Sequence, residues 1–212
     1  MASLRSELKF ASLLTYAPQG VTAMSMQSKE VCAAVKGGHR RVLERAIQRL
    51  AECSQPWVAA FFAPDRVLVP IPRSSPLRDP RSLWVARDIC QLLSDRQIGG
   101  AISTCLRRTI SVPKSAFALP QERPSPSQHF ASFDVEAAPI SAHAITLVDD
   151  VVTKGATLIA AASRLDAALP GCDIRAFALI RTVSRNEVPA ILEPCEGVIH
   201  YERERDASRR RP

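Results

Sequence analysis

The sequence predicts an α/β protein, an open and mainly parallel β-sheet with helices on both faces. Three observations carry that prediction. RVLVPI (66–71), AITLV (144–148) and IRAFALI (174–180) are short, nearly continuous apolar runs, the character of strands buried on both faces. Between them lie segments whose apolar residues recur at helical spacing. No internal repeat or low-complexity tract breaks the alternation, and alternating strands and helices build parallel sheets.

Each element follows from its own residues. In RRVLERAIQRLAEC, residues Val42, Leu43, Ala46, Ile47, Leu50 and Ala51 line one face of a helix. A strand from Arg66 to Ile71 then empties into a loop bearing Arg73, Ser74 and Ser75. DPRSLWVARDICQLL reads as a helix capped by Asp79 with Pro80 in its first turn, packing through Leu83, Trp84, Ile89 and Leu92. A second short strand is expected over Ala101–Cys105, after Gly99-Gly100. Residues 107–143 hold five prolines and little periodicity, so they read as a long loop of the functional-lid kind. The strand at 144–148 leads into a helix marked by Leu158, Ala161, Ala162, Leu165 and Leu169, stopped before Pro170-Gly171.

The bulk properties narrow the function classes. A chain of 212 residues fits one catalytic domain, and 46% hydrophobic with 23% charged residues argues against disorder or a fibrous class. The longest apolar stretches, such as VAAFFA (58–63), fall short of the ~20 residues of a membrane span, and no secretory signal opens the chain, so a cytoplasmic protein without a membrane partner is expected. The six cysteines form no CxxC pair and the four histidines do not cluster with them, which predicts reduced thiols and no zinc site. A net charge of +7 favours polyanionic partners, nucleic acid or phosphorylated small molecules, without choosing between them. The end, YERERDASRRRP, mixes both charge signs without an apolar stripe and reads as a basic, flexible tail over 201–212.

The chemistry concentrates in LVDDVVTKGAT (147–157). An apolar strand delivers Asp149 and Asp150, and a turn of Thr153, Lys154, Gly155, Ala156 and Thr157 then opens a helix. Gly155 permits a tight turn, and the unpaired N–H groups of a helix start cradle a phosphate monoester beside the two threonine hydroxyls. The paired acids can accept hydrogen bonds from sugar hydroxyls or reach a metal through water, so a sugar phosphate suits this segment better than free phosphate.

This segment, ITLVDDVVTKGATL (145–158), resembles the phosphoribosyl pyrophosphate (PRPP) motif of type I phosphoribosyltransferases. The resemblance implies that fold with a small hood, and a PRPP site formed by Asp149, Asp150, Val152, Thr153, Lys154, Gly155, Ala156 and Thr157. Lys154 stands where the family usually has a small hydroxyl residue. The resemblance further implies a pyrophosphate loop at Arg73 and Ser74, and Mg²⁺ held indirectly by Asp149 and Asp150. It places a flexible catalytic loop in 107–143, where Arg107, Arg108, Lys114, Arg123 and His129 are candidate charge donors and Arg107 and Lys114 the preferred catalytic pair. The implied reaction displaces pyrophosphate from PRPP by a base or amine.

VCAAVKGGHRRVLERAIQRLAE with Lys36, followed by VPIP (69–72), resembles the ComF-type branch associated with DNA uptake and competence. PRSLWVAR (80–87) departs from that branch, as does the absence of a cysteine-rich zinc ribbon. The implied organisation is a terminal segment 1–40 available as a hood, a phosphoribosyltransferase domain over 41–200 and the tail; residues 8–40 and 183–201 are the segments that would grip the acceptor. A homodimer remains open. The alternative function is a non-catalytic protein of the same fold that serves nucleic-acid uptake or processing.

Overall fold

A computed structural model of the chain describes residues 4–77, 79, 81–113, 123–136, 143–184 and 187–212. In chain order the elements are β1 (Glu7–Tyr16), α1 (Ala23–Lys36), α2 (Arg40–Ala51), α3 (Pro56–Phe61), β2 (Val67–Pro70), α4 (Val85–Ser94), β3 (Leu106–Arg108), α5 (Pro126–Ser132), β4 (Phe133–Val135), β5 (Ala144–Val152), α6 (Ala156–Ala168), β6 (Asp173–Thr182), β7 (Leu192–Glu202) and β8 (Ala207–Arg211), with a 3₁₀ turn at Arg203–Arg205. Six strands form one sheet in the order β2-β5-β6-β1-β7-β8, and β3 and β4 make a small antiparallel pair. Strands β2, β5, β6 and β1 run parallel, while β7 and β8 are added antiparallel.

The fold is therefore α/β with a mainly parallel sheet, as the apolar runs predict. Alternation along each strand divides its side chains between two cores. Leu68, Val148 and Phe177 face Val35, Ile47, Trp57, Phe61 and Ile89 of the helices α1 to α4. Val69, Ile145, Leu147 and Ala176 face Leu158, Ala161 and Leu165 of α6 together with Leu106 and Phe133 of the β3–β4 pair. A sheet covered on both faces needs such apolar strands, which is why these were legible.

Five expectations need correcting. The strand foreseen at Ala101–Cys105 shrinks to a single parallel bridge from Ile102 to Leu68. The helix foreseen from Asp79 begins only at Val85: the Asp79 carboxylate accepts the Arg81 N–H in a local turn (2.9 Å), and the Trp84 indole donates to the Ile71 carbonyl (2.7 Å), which fixes the helix start against the end of β2. Within 107–143, the described residues include β3, α5 and β4 instead of one long loop; α5 starts on a capping box between Ser125 and Gln128. The segments foreseen as a hood, 8–40 and 183–201, instead supply β1 and β7, which lie side by side in the main sheet, and β1 is a central strand because Leu8, Phe10 and Leu13 alternate onto both of its covered faces. Finally, the tail foreseen as flexible contains β8, paired with β7 from Ala207↔Glu202 to Arg211↔Val198.

The connections decide where a ligand can sit. From β2 the chain crosses through α4, on the α1–α4 face, outward to the Ile102 bridge. From β5 it crosses through α6, on the opposite face, to β6. The two crossovers diverge, leaving a crevice at the carboxyl ends of β2 and β5, the place where open α/β sheets bind ligands.

Candidate functional site

Strand β5 runs past the predicted five residues to Val152, so Asp149 and Asp150 belong to its carboxyl end. Neighbouring β2 ends beside them, with the Ile71 N–H donating to the Val148 carbonyl (2.8 Å). That pairing sets the loop of Arg73, Ser74 and Ser75, all half-buried, across the crevice from the acids. Each acid folds one oxygen back onto the following backbone: Asp150 N–H donates to Asp149 Oδ1 (2.9 Å), and Val151 N–H to Asp150 Oδ1 (2.8 Å). The self-bonded carboxylates are thereby fixed in direction.

Burial pushes the Asp149 carboxyl well above the usual carboxylate range, and the adjacent Asp150 pushes it further; Lys36, exposed at the end of α1, pulls it back toward ionisation. Two adjacent carboxylates are hard oxygen donors of the kind that hold Mg²⁺ when a phosphorylated ligand and water complete its shell, so Asp149 and Asp150 fit that ion.

After Val152, which is buried, the chain turns through Thr153, exposed Lys154 and Gly155 into α6. Gly155 has φ +91°, and a Cβ there would approach Ile199 to 2.7 Å, so both the backbone angle and β7 require glycine. No side chain caps α6. Among the described residues, the N–H groups of Thr153, Lys154 and Gly155 meet no protein acceptor. They and the positive end of α6 form a cradle suited to an anion. Ala156 and Thr157 occupy its first turn, both half-buried.

Compared with models of known protein families and with curated protein sequences, the chain matches none.

The structure brings further residues to the crevice. Arg107 and Arg108 point to opposite sides of β3: Arg107 is exposed and ion-paired with Glu136, whereas Arg108 is only 5% exposed. Arg108 Nε donates to the Arg73 carbonyl (2.5 Å), Nη1 to Ser132 Oγ (2.5 Å), and its guanidinium lies over the Phe133 ring. Burial lowers its pKa to about 10, which leaves it charged at neutral pH, and Asp149 opposes that shift. Of the preferred catalytic pair, then, Arg107 faces away from the acids, and Lys114 lies outside the described residues. Arg123 is exposed just ahead of α5.

His129, foreseen as a charge donor in a loop, is instead 3% exposed on α5 and sits with Nε2 3.3 Å from Thr157 Oγ1. Burial, then the nearby Arg108, depress its pKa to about 4, so the imidazole is neutral. Among the described residues its buried Nδ1 has no partner, which favours the tautomer with the proton on Nε2, donating to Thr157. That leaves the Thr157 hydroxyl hydrogen free to point elsewhere. Arg210, from the expected tail, donates from Nε to the Thr153 carbonyl (3.1 Å) and from Nη2 to the Thr182 carbonyl. The predicted segment 149–157 and the Arg73 loop therefore share one edge of the sheet, and Arg108, His129 and Arg210 join them from elements that the sequence did not reveal.

All six cysteines are free thiols, and burial raises Cys32, beneath the crevice near Asp150 and Lys36, to about 11. Among the described residues no helix is long and apolar enough to cross a membrane.

Proposed function

We propose that the protein binds PRPP with Mg²⁺ and transfers its phosphoribosyl group to a nitrogen nucleophile. The observation that carries this reading is the delivery of Asp149 and Asp150 by β5 to the crevice between diverging crossovers, directly before the left-handed Gly155 turn and the uncapped start of α6. In the proposed reaction the acids receive the ribose hydroxyls, the turn of Thr153 to Thr157 holds the 5′-phosphate, and the Arg73–Ser74 loop holds the pyrophosphate. The bond from the anomeric carbon to pyrophosphate breaks, a carbon–nitrogen bond forms, and the nucleophile loses a proton to base or solvent. No protein nucleophile takes part; positioning and fixed positive charge do the work.

Titration calorimetry with PRPP and Mg²⁺ tests the binding step. Heat of binding is expected for the wild type and a loss of at least tenfold in affinity for Asp150→Ala, roughly the worth of one charge-assisted contact. A folded wild type that gives no heat refutes the reading. Pyrophosphate release measured across nucleobases, orotate, amines and glutamine then identifies the acceptor.

The alternative, a non-catalytic nucleic-acid partner of similar fold, is supported by exposed Arg203, Arg205, Arg209 and Arg211 around β8. Salt-dependent retention on single-stranded DNA, weakened in Arg209→Gln/Arg211→Gln, would favour it.

A further inference from the structure

We propose that Arg108 and Arg210 are positioning residues, each aiming one backbone amide of an anion loop into the crevice: Ser74 N–H toward pyrophosphate and Lys154 N–H toward the 5′-phosphate. The inference rests on the phosphoribosyl reading above and adds to it two residues that touch neither loop's ligand.

The argument is one of peptide geometry. In a planar trans peptide the carbonyl and the next residue's N–H point in opposite directions, so whatever holds the carbonyl also aims the N–H. Arg108 Nε holds the Arg73 carbonyl at 2.5 Å, and the Ser74 carbonyl accepts the Val112 N–H at 2.8 Å, which ties two successive peptides of that loop to the β3 side. Arg210 Nε holds the Thr153 carbonyl at 3.1 Å, and its Nη2 holds the Thr182 carbonyl at the end of β6. Among the described residues the N–H groups of Ser74 and Lys154 meet no protein acceptor. They are the two amides whose direction these arginines fix.

Both braces are themselves rigid. Arg108 is pinned by Ser132 and stacked on Phe133, and Arg210 lies over the Phe10 ring. Among the described residues Arg210 Nη1 is buried with no hydrogen-bond partner, and the guanidinium keeps positive charge behind the phosphate turn. A backbone amide aimed in advance costs no reorganisation when an anion arrives, which is the advantage of holding it from behind.

The test separates the two loops by using half-ligands. Ribose 5-phosphate and magnesium pyrophosphate are titrated separately into wild type, Arg108→Lys, Arg108→Met, Arg210→Lys and Arg210→Met. Arg210→Met should weaken ribose 5-phosphate about tenfold, the value of one well-aimed hydrogen bond to an anion, and leave pyrophosphate within about twofold; Arg108→Met should do the reverse. The lysine variants keep one donor for the same carbonyl and should recover part of each loss. Should a methionine variant fail to fold, its lysine counterpart must still show the crossed pattern in smaller measure. Equal weakening of both ligands, or no change in either, overturns the brace. Wild type that binds both half-ligands without the crossed pattern removes this inference alone, whereas wild type that binds neither removes the phosphoribosyl reading with it.

Discussion

At the scale of single residues, the site is held together by groups kept in costly states. Ionised Asp149 is disfavoured by burial and by Asp150. A carboxyl whose folded pKa is raised adds stability below its unfolded pKa and loses it as pH rises through the folded value, so at neutral pH the charge opposes folding. Asp149→Asn is therefore expected to raise the melting temperature of the ligand-free protein near pH 7 while abolishing binding of PRPP and Mg²⁺, a pair of outcomes read by thermal melts and calorimetry. His129 works with the opposite sign convention. Its folded pKa of about 4 lies below the ordinary histidine value, so stability is complete above about pH 6.5 and is lost as pH falls toward 4. Unfolding free energies from urea titrations at pH 7.5 and 5 should diverge for wild type by up to about 1.4 kcal/mol per pH unit within that window, and less in His129→Phe. Gly155→Ala should cost on the order of 1–3 kcal/mol, from its left-handed angle and the clash with Ile199, with loss of phosphate binding. That glycine, with Asp149, Asp150 and Thr157, was legible because a strand, paired acids and a turn are all local features. His129 was named only as a charge donor in a loop, since its partner Thr157 lies 28 residues away and α5, with its capping box at Ser125 and Gln128, was not foreseen.

Elements show why some of the fold was readable and some was not. Strands β2, β5 and β6 are apolar on both faces and announce themselves; β7 is largely half-buried and carries Glu193, Glu196 and His200 among its apolar residues, so it has no such pattern. Strand β3 is only LRR, yet Leu106 is buried, and a period of two then places Arg108 inward and Arg107 outward. Recognising that triplet as a strand would have preferred Arg108 to Arg107. The opposite edge of the sheet offers a control. Buried Arg66, just ahead of β2, donates to Thr146 Oγ1 (3.0 Å), to the Ile145 and Asp173 carbonyls and to the Asp173 carboxylate (2.7 Å), joining the amino ends of β2, β5 and β6. Arg66→Met should lower stability by roughly 3 kcal/mol, because the buried carbonyls and Thr146 lose their donor. Affinity for ligand at the carboxyl edge, measured by calorimetry well below the melting temperature, should stay the same.

Across the whole molecule, the last strand is bound to the site from two directions. Arg210 reaches the Thr153 carbonyl in the turn before α6, while Asp206, in the bend between β7 and β8, accepts from Ser125 Oγ (2.5 Å), Ser127 N–H (3.1 Å) and the Tyr201 hydroxyl (3.0 Å), tying that bend to the start of α5. Removal of residues 207–212 is expected to lower the melting temperature and to weaken ribose 5-phosphate binding more than pyrophosphate binding. Unchanged melting and affinity would show the strand to be an ornament of the fold.

The central place of β1 also bears on how the chain is made. Its sheet partners, β6 and β7, are not translated until residue 173 and beyond, so Leu8, Phe10 and Leu13 leave the ribosome without the surface that will cover them. At ordinary elongation rates of about 5–20 residues per second, that interval lasts on the order of ten to thirty seconds. Nascent chains would accordingly carry an uncovered, adhesive β1 while residues 17–172 are made, and the two acids of β5 would emerge before the sheet that steadies them has closed. The sheet around β1 can therefore close only once β6 and β7 have emerged.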